Sequence, residues 1–160
     1  MNHLREAVPD IAIRTTTIVG FPGETDDDFR ELCDFAGEIE FERMGVFTYS
    51  PQEGTHAADL PDDVPDDVKR ARQEELIELA RSISEDRLGR YVGRETEVLV
   101  DRIADPDEAG FTHVGRVKWQ ADDVDGVTYV RQGGWIEPGN FARVRTTDIR
   151  DYDFTAEAIE

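Results

Sequence analysis

The chain has 160 residues, 37 of them acidic and 18 basic, a formal charge of -19 at pH 7, and 38% hydrophobic side chains. That is enough apolar material for a core, which argues against wholesale disorder, and no run nears the roughly 20 apolar residues of a membrane span. Neither half offers the basic face that nucleic acid normally requires: residues 1–90 hold ten Lys/Arg against 22 Asp/Glu, and residues 91–160 hold eight against 15.

On charge a basic protein is the easier partner, although a proteome-wide acidic bias, as in a salt-loving organism, would give the same numbers. The opening "MNHLREAVPD" has no apolar signal-peptide core. The single Cys33 excludes an intrachain disulfide and a cysteine metal cage made by this chain alone. A cytoplasmic protein without membrane contact is expected.

In chain order, Ile11 to Val19 reads as a strand rich in β-branched residues. Phe21-Pro22-Gly23 turns the chain, and Thr25 is placed to N-cap a helix, with Asp28 completing a capping-box-like pair. Asp26, Asp27 and Asp28 fall in the first helical turn, where the dipole favours negative charge. Phe29, Leu32, Cys33, Ala36 and Ile39 then follow at helical spacing. Met44 to Tyr49 reads as a second strand, which makes a right-handed β-α-β unit with parallel strands. A phosphate loop is excluded, since three aspartates crowd the helix start and no Gly-Lys-Ser/Thr ending follows.

Two parallel strands alone would leave both sheet edges unpaired. No third strand-helix repeat follows; instead comes the Pro- and Asp-rich "GTHAADLPDDVPDD". Either a partner completes the sheet, or the chain is the tail end of a longer protein. A long helix is predicted from Asp66 to Arg90, with Val68, Ala71, Leu76, Leu79, Ala80 and Ile83 mostly on one face and packed against the first unit. Beyond Gly93 the period changes to two. "ETEVLVDRI", "THVGRVKW", "GVTYVR" and "NFARVRTTD" predict four or five short strands in a small antiparallel OB-like barrel. The fold class is therefore α/β followed by all-β.

"RTTTIVGFPGETDDDF" and then "FERMGVFTYSPQEGTHAADLPDDVPDDVKRARQEEL" resemble the end of the catalytic barrel of the radical-SAM methylthiotransferases. The antiparallel region resembles the TRAM domain that ends these enzymes. The motifs come in order, at family-like spacing, over nearly the whole chain. The resemblance implies residues 1–62 as the C-terminal part of a TIM-like radical-SAM barrel, 63–92 as a linking helix, and 93–160 as the TRAM domain. It also answers the edge problem, because the missing strands belong to an upstream part of the barrel.

One branch of this family methylthiolates an adenosine in tRNA. The RimO-type branch methylthiolates the β-carbon of an aspartate in the twelfth small-subunit ribosomal protein. "SPQEGT" with Glu53, the acidic "GRVKWQADDVDG" and the close "DYDFTAEAI" resemble the second branch, and a basic ribosomal protein is the implied partner. The tRNA branch and a stand-alone TRAM-type module binding RNA or ribosomal protein are the alternatives. The implied cofactors are S-adenosylmethionine and 4Fe-4S clusters. Clusters are held mainly by thiolates, and the family's CxxxCxxC loop is absent from this chain. Alone it is expected to be inactive, and it is expected to be a C-terminal fragment or a truncated reading frame that starts inside the barrel.

By resemblance, Arg14, Ile18, Gly20 and Tyr49 belong to the S-adenosylmethionine side. Arg14 would reach its carboxylate or else pair with an acidic neighbour; Ile18 is otherwise core, and Gly20 otherwise a close-approach glycine. Tyr49 and Ser50 end a parallel strand, where barrel active sites gather. Ser50, Glu53, Asp122, Asp123 and Trp119 are the candidate substrate-binding residues. Trp119, Tyr129 and Trp135 could stack bases, anchor a protein interface or fill the core, with Arg116, Lys118 and Arg131 nearby. His3, His56 and His113 show no ligand spacing. No catalytic residue and no metal ligand is assigned.

Overall fold

A computed structural model describes residues 1–159, which divide within one helix into two compact units, the first running from Met1 to Ser84 and the second from Glu85 onward. The first unit opens with a short helix α1 (Asn2–Ala7), absent from the sequence prediction. Strand β1 (Arg14–Val19), helix α2 (Asp26–Ile39) and strand β2 (Arg43–Thr48) then form the expected β-α-β unit. The strands are parallel, with Ile18 opposite Phe47 and Val19 opposite Thr48.

Local chemistry fixes the start of α2. The Thr25 hydroxyl accepts from the Asp28 amide at 3.2 Å, and the Asp28 carboxylate accepts from the Thr25 amide at 2.8 Å. This is the predicted capping box. The far end is closed by Glu40, left-handed at φ 54°, and by Arg5, whose guanidinium bonds the carbonyls of Ile39 and Glu40. The cation meets the negative end of a helix that has no basic residue in its own last turn.

One sheet face is covered. Val19, Val46, Phe29, Ala36 and Leu76 form a buried cluster, with Leu32, Cys33, Met44 and Leu79 against it. Leu76 and Leu79 come from α3 (Asp66–Gly89), as the helical period predicts. The α3 side chains also reach the second strand and its approach: Gln73 donates to the Val46 carbonyl at 2.9 Å and Ser84 to the Glu42 carbonyl at 2.7 Å. Ala71 departs from the prediction and is exposed; Lys69 and Arg72 take the buried positions. Between β2 and α3 the segment predicted as linker contains a 3-10 turn, His56–Asp59.

The second unit is a closed five-stranded barrel of β3 (Glu95–Ile103), β4 (His113–Val117), β5 (Thr128–Arg131), β6 (Phe141–Arg150) and β7 (Asp153–Ala158), in the order β3-β4-β5-β7-β6. The expected wholly antiparallel barrel is corrected to a mixed one, because β5 and β7 pair in parallel and close it. Val98, Val100, Val130, Val144, Phe154 and Ala156 are fully buried and alternate with outward residues. Gly115 lets β4 approach β3: a Cβ there would lie 2.2 Å from the Leu99 carbonyl oxygen.

Candidate functional site

In parallel α/β sheets, ligands gather beyond the C-terminal ends of the strands. Here that end is built by Gly20 to Glu24 after β1, Tyr49 after β2, and Lys69 and Arg72 on the first turns of α3. Glu24 is the hinge of the group. One carboxylate oxygen accepts from the Gly20 amide at 2.9 Å and from the Arg72 guanidinium at 2.7 Å. Arg72 also bonds Asp26 at 2.7 Å and the Glu24 carbonyl at 3.2 Å. Burial alone would lower the Arg72 pKa, but the hydrogen bonds to Asp26 and Glu24 outweigh it and raise the value. The Asp28 carboxyl is held below its usual range by the Thr25 hydroxyl and amide.

Lys69 crosses the same corner. Its Nζ lies 2.6 Å from both Asp62 oxygens and 5.4 Å from the centre of the Tyr49 ring. Its stem fills the space beside Gly20, so that glycine makes room for Lys69. Tyr49 is buried, packed edge-on by Phe21 at 5.2 Å, with its hydroxyl donated to the Ala57 carbonyl at 2.8 Å. Within this chain the Tyr49 ring is covered and its hydroxyl is engaged.

The uncovered sheet face is apolar only towards its C-terminal end, with Arg14 and Thr16 exposed further back along β1. Ile18 is 53% and Phe47 60% exposed, and the two sit opposite each other in register. Phe21 is also exposed beside them in sequence at the strand end. Among the described residues no further strand pairs with β1 or β2. Ile18 is thus presented at the surface near Gly20. Arg14 is exposed at the opposite end of β1, about 17 Å away at roughly 3.3 Å per residue, and the strand does not bring it to the Gly20 corner.

Ser50 and Glu53 are exposed in the loop after β2. Asp122 and Asp123 lie in the β4–β5 loop of the second unit, both exposed. Asp122 pairs with Arg116 at 2.9 Å, and Asp123 takes a left-handed turn conformation at φ 60°. Asp125 organises that loop by accepting from the Ala121 amide at 2.9 Å. Trp119, predicted as a docking residue, is buried: it stacks on Tyr91 at 3.8 Å and lies 6.1 Å from Phe154. That places it in the barrel core, one of the three readings open for the aromatics of this region. Trp135 is exposed and Tyr129 half-buried.

Among the described residues no group of three or more His, Cys, Asp or Glu is arranged to hold a metal ion. Cys33 lies partly buried on α2, its thiol pKa raised by burial and by the Glu75 and Asp34 carboxylates. The residues of this chain do not fit an iron-sulfur cluster. Lys69 and Arg72 are the residues that sequence reasoning missed. Their only sequence signal is two cations spaced i, i+3 on a largely acidic helix, behind an acidic turn.

Comparison with known proteins gives two findings. The TRAM domain family matches residues 92–159. The chain is also 41% identical over all 160 of its residues to a ribosomal protein uS12 methylthiotransferase RimO of Aquifex aeolicus, covering 37% of that protein. It is 45% identical over 157 residues to the same-named protein of an Anaeromyxobacter species, and 46% over 149 residues to that of Thermus thermophilus, covering 33% of each. The similarity spans both compact units, and the resemblance read from the sequence is borne out. The chain spans about a third of the length of the curated relatives it matches.

Proposed function

We propose that this chain is the C-terminal part of a RimO-type radical-SAM enzyme that methylthiolates the β-carbon of an aspartate in ribosomal protein uS12. The observation that carries it is the first unit's unfinished sheet. A parallel pair covered on one face, with Ile18 and Phe47 bare on the other and no further strand on either edge among the described residues, matches a slice of a parallel barrel. The identity to the relatives over both units supports the same assignment.

On this proposal the missing strands pair with β1 and β2, and the face of Ile18 and Phe47 lines the barrel interior. Ile18 offers an apolar wall for the S-adenosylmethionine purine. Glu24 and Arg72 act as positioning residues that fix the backbone of the Gly20 turn. The clusters and their redox chemistry belong to the portion of the enzyme this chain does not contain. The TRAM domain docks substrate, and its net acidity favours a basic ribosomal protein over tRNA.

Reconstitution tests the proposal. The purified chain is mixed with the complementary portion of a relative, S-adenosylmethionine, a reductant and a sulfur source, with uS12 and tRNA offered separately. Mass spectrometry should find a methylthio group in place of one hydrogen on a uS12 aspartate. Modification of tRNA adenosine alone would overturn the branch, and no modification in a mixture where the relative's own C-terminal part restores activity would overturn the proposal.

A further inference from the structure

An open cleft of about 530 Å³ lies on the outer surface of the small barrel. Its floor is three strands wide, because β5, β7 and β6 are neighbours and Tyr129, Thr155 and Asp148 follow one another in register. A bulge in β6 between Thr146 and Asp148 alters the register here, and the Thr147 and Thr155 hydroxyls bond at 2.8 Å. The loop before β4 lays Phe111 beside Tyr129, with ring centroids 5.1 Å apart. Both rings are half-buried.

Aromatic faces attract cations, and one face is already so used: the Arg131 guanidinium lies over Phe111 at 4.7 Å. Asp148, Asp153 and Glu157 line the cleft against Arg131 and Arg150, and Arg150 has Asp148 3.8 Å away. The Tyr129 phenol is held above its ordinary pKa, by burial first and then by the charges of Asp153 and Glu108. Around that hydroxyl the charges of Asp153, Glu108 and Asp107 are opposed by the charge of Arg102. Residues 91–160 carry 15 acidic against eight basic side chains, so a phosphate backbone is repelled where a cation is attracted.

The geometry points to this cleft as the docking site for an arginine or lysine side chain of a basic protein segment, the cation stacking on the Phe111–Tyr129 pair with Glu157 and Asp153 facing its charge. This deepens the proposed function and rests on it only for the identity of the basic protein. Tyr129 and Arg131, singled out in the sequence as an aromatic and a nearby cation, line this cleft, whereas Ser50, Glu53, Trp119, Asp122 and Asp123 do not.

The test is fluorescence anisotropy on the intact chain, with an arginine-rich peptide, the same peptide carrying citrulline for arginine, and a single-stranded RNA. The arginine peptide should bind, and Tyr129→Ala and Phe111→Ala should each weaken it about tenfold, the loss expected for one partly desolvated cation–π contact. Tyr129→Phe should retain binding, Glu157→Gln should weaken it, and Glu137→Gln, on an exposed carboxylate outside the cleft, should leave it unchanged. Equal binding of the citrulline peptide, wild-type affinity in a Tyr129→Ala variant with native circular dichroism, or tighter binding of RNA would each overturn the inference. If Tyr129→Ala fails to fold, Glu157→Gln and the citrulline peptide decide. Failure here leaves the reconstitution experiment untouched, and failed reconstitution leaves this binding result standing.

Discussion

Gly20→Ala probes how the turn after β1 is held. Gly20 has φ +70°, and an added Cβ would sit 2.3 Å from Lys69 Cγ and 3.1 Å from Lys69 Cβ and Cδ. Left-handed backbone costs a residue with a side chain about 1 kcal/mol. The clash adds to this, because Lys69 cannot move without disturbing its ion pair with Asp62. A fully buried pair costs about 3–5 kcal/mol to break, but the Asp62 side chain is 34% exposed, so partial loss is worth about 1–2 kcal/mol. The total is about 2–3 kcal/mol. Gly23→Ala is the control, with φ +83° and nothing within 4 Å of the added Cβ; it should cost only about 1 kcal/mol. Both tryptophans belong to the second unit, so amide hydrogen exchange in β1 and β2 is the suitable assay. Lys69→Ala removes the two atoms beyond Cβ that crowd the site, so the double variant should be less destabilised than the sum of the single ones. Equal effects at Gly20 and Gly23, or strict additivity with Lys69→Ala, would refute the reasoning.

Thr25→Ala removes the hydroxyl half of the capping box and should destabilise α2 by about 1 kcal/mol, measured by exchange of its first-turn amides. Arg72→Met leaves the largely buried Glu24 carboxylate without its cation and should cost about 2–4 kcal/mol, whereas adding Glu24→Gln should recover part of the loss. Phe154→Ala, at a fully buried position, should cost about 3–5 kcal/mol and expose Trp119, seen as a red shift of its fluorescence. The Glu95 carboxyl is held below its usual range by its bond to Arg145 and by Arg143, and Glu108 is held at about 2 by Arg102 and the Asp105 amide. Folded values below the unfolded ones give stability that is present above the unfolded carboxylate pKa and lost as pH falls towards about 2. The barrel's melting temperature should fall across that acid window, and a flat profile would contradict these pairings.

What was legible in the sequence was local. Thr25 and Asp28 are three residues apart, so their reciprocal bonds could be read directly, and α2 and β1 followed from spacing and β-branching. Lys69 and Arg72 were not legible as buried residues, because Arg72's partners Glu24 and Asp26 lie 48 and 46 positions away. Hydropathy places such cations at the surface until a carboxylate is known to meet them. The six residues of α1 are too few for a periodic signal. β7, which closes the barrel in parallel with β5, reads only as "DFTAEA", with small and charged residues in place of an apolar run. Trp119, two residues past the end of β4, could not be assigned to the core from its local sequence, since its burial depends on Tyr91 and Phe154 arriving from distant segments. The cleft of Phe111 and Tyr129 is likewise assembled from separate stretches of chain.

Hydrogen exchange on β1 and β2, with and without the portion of a relative that this chain does not cover, measures most directly whether the parallel pair is part of a larger sheet. The account predicts that edge amides of Arg14–Val19 and Arg43–Thr48 gain protection on mixing, and that a quencher loses access to a probe at Phe47. Unchanged protection and an equally accessible Phe47 position in a mixture that demonstrably associates would contradict it.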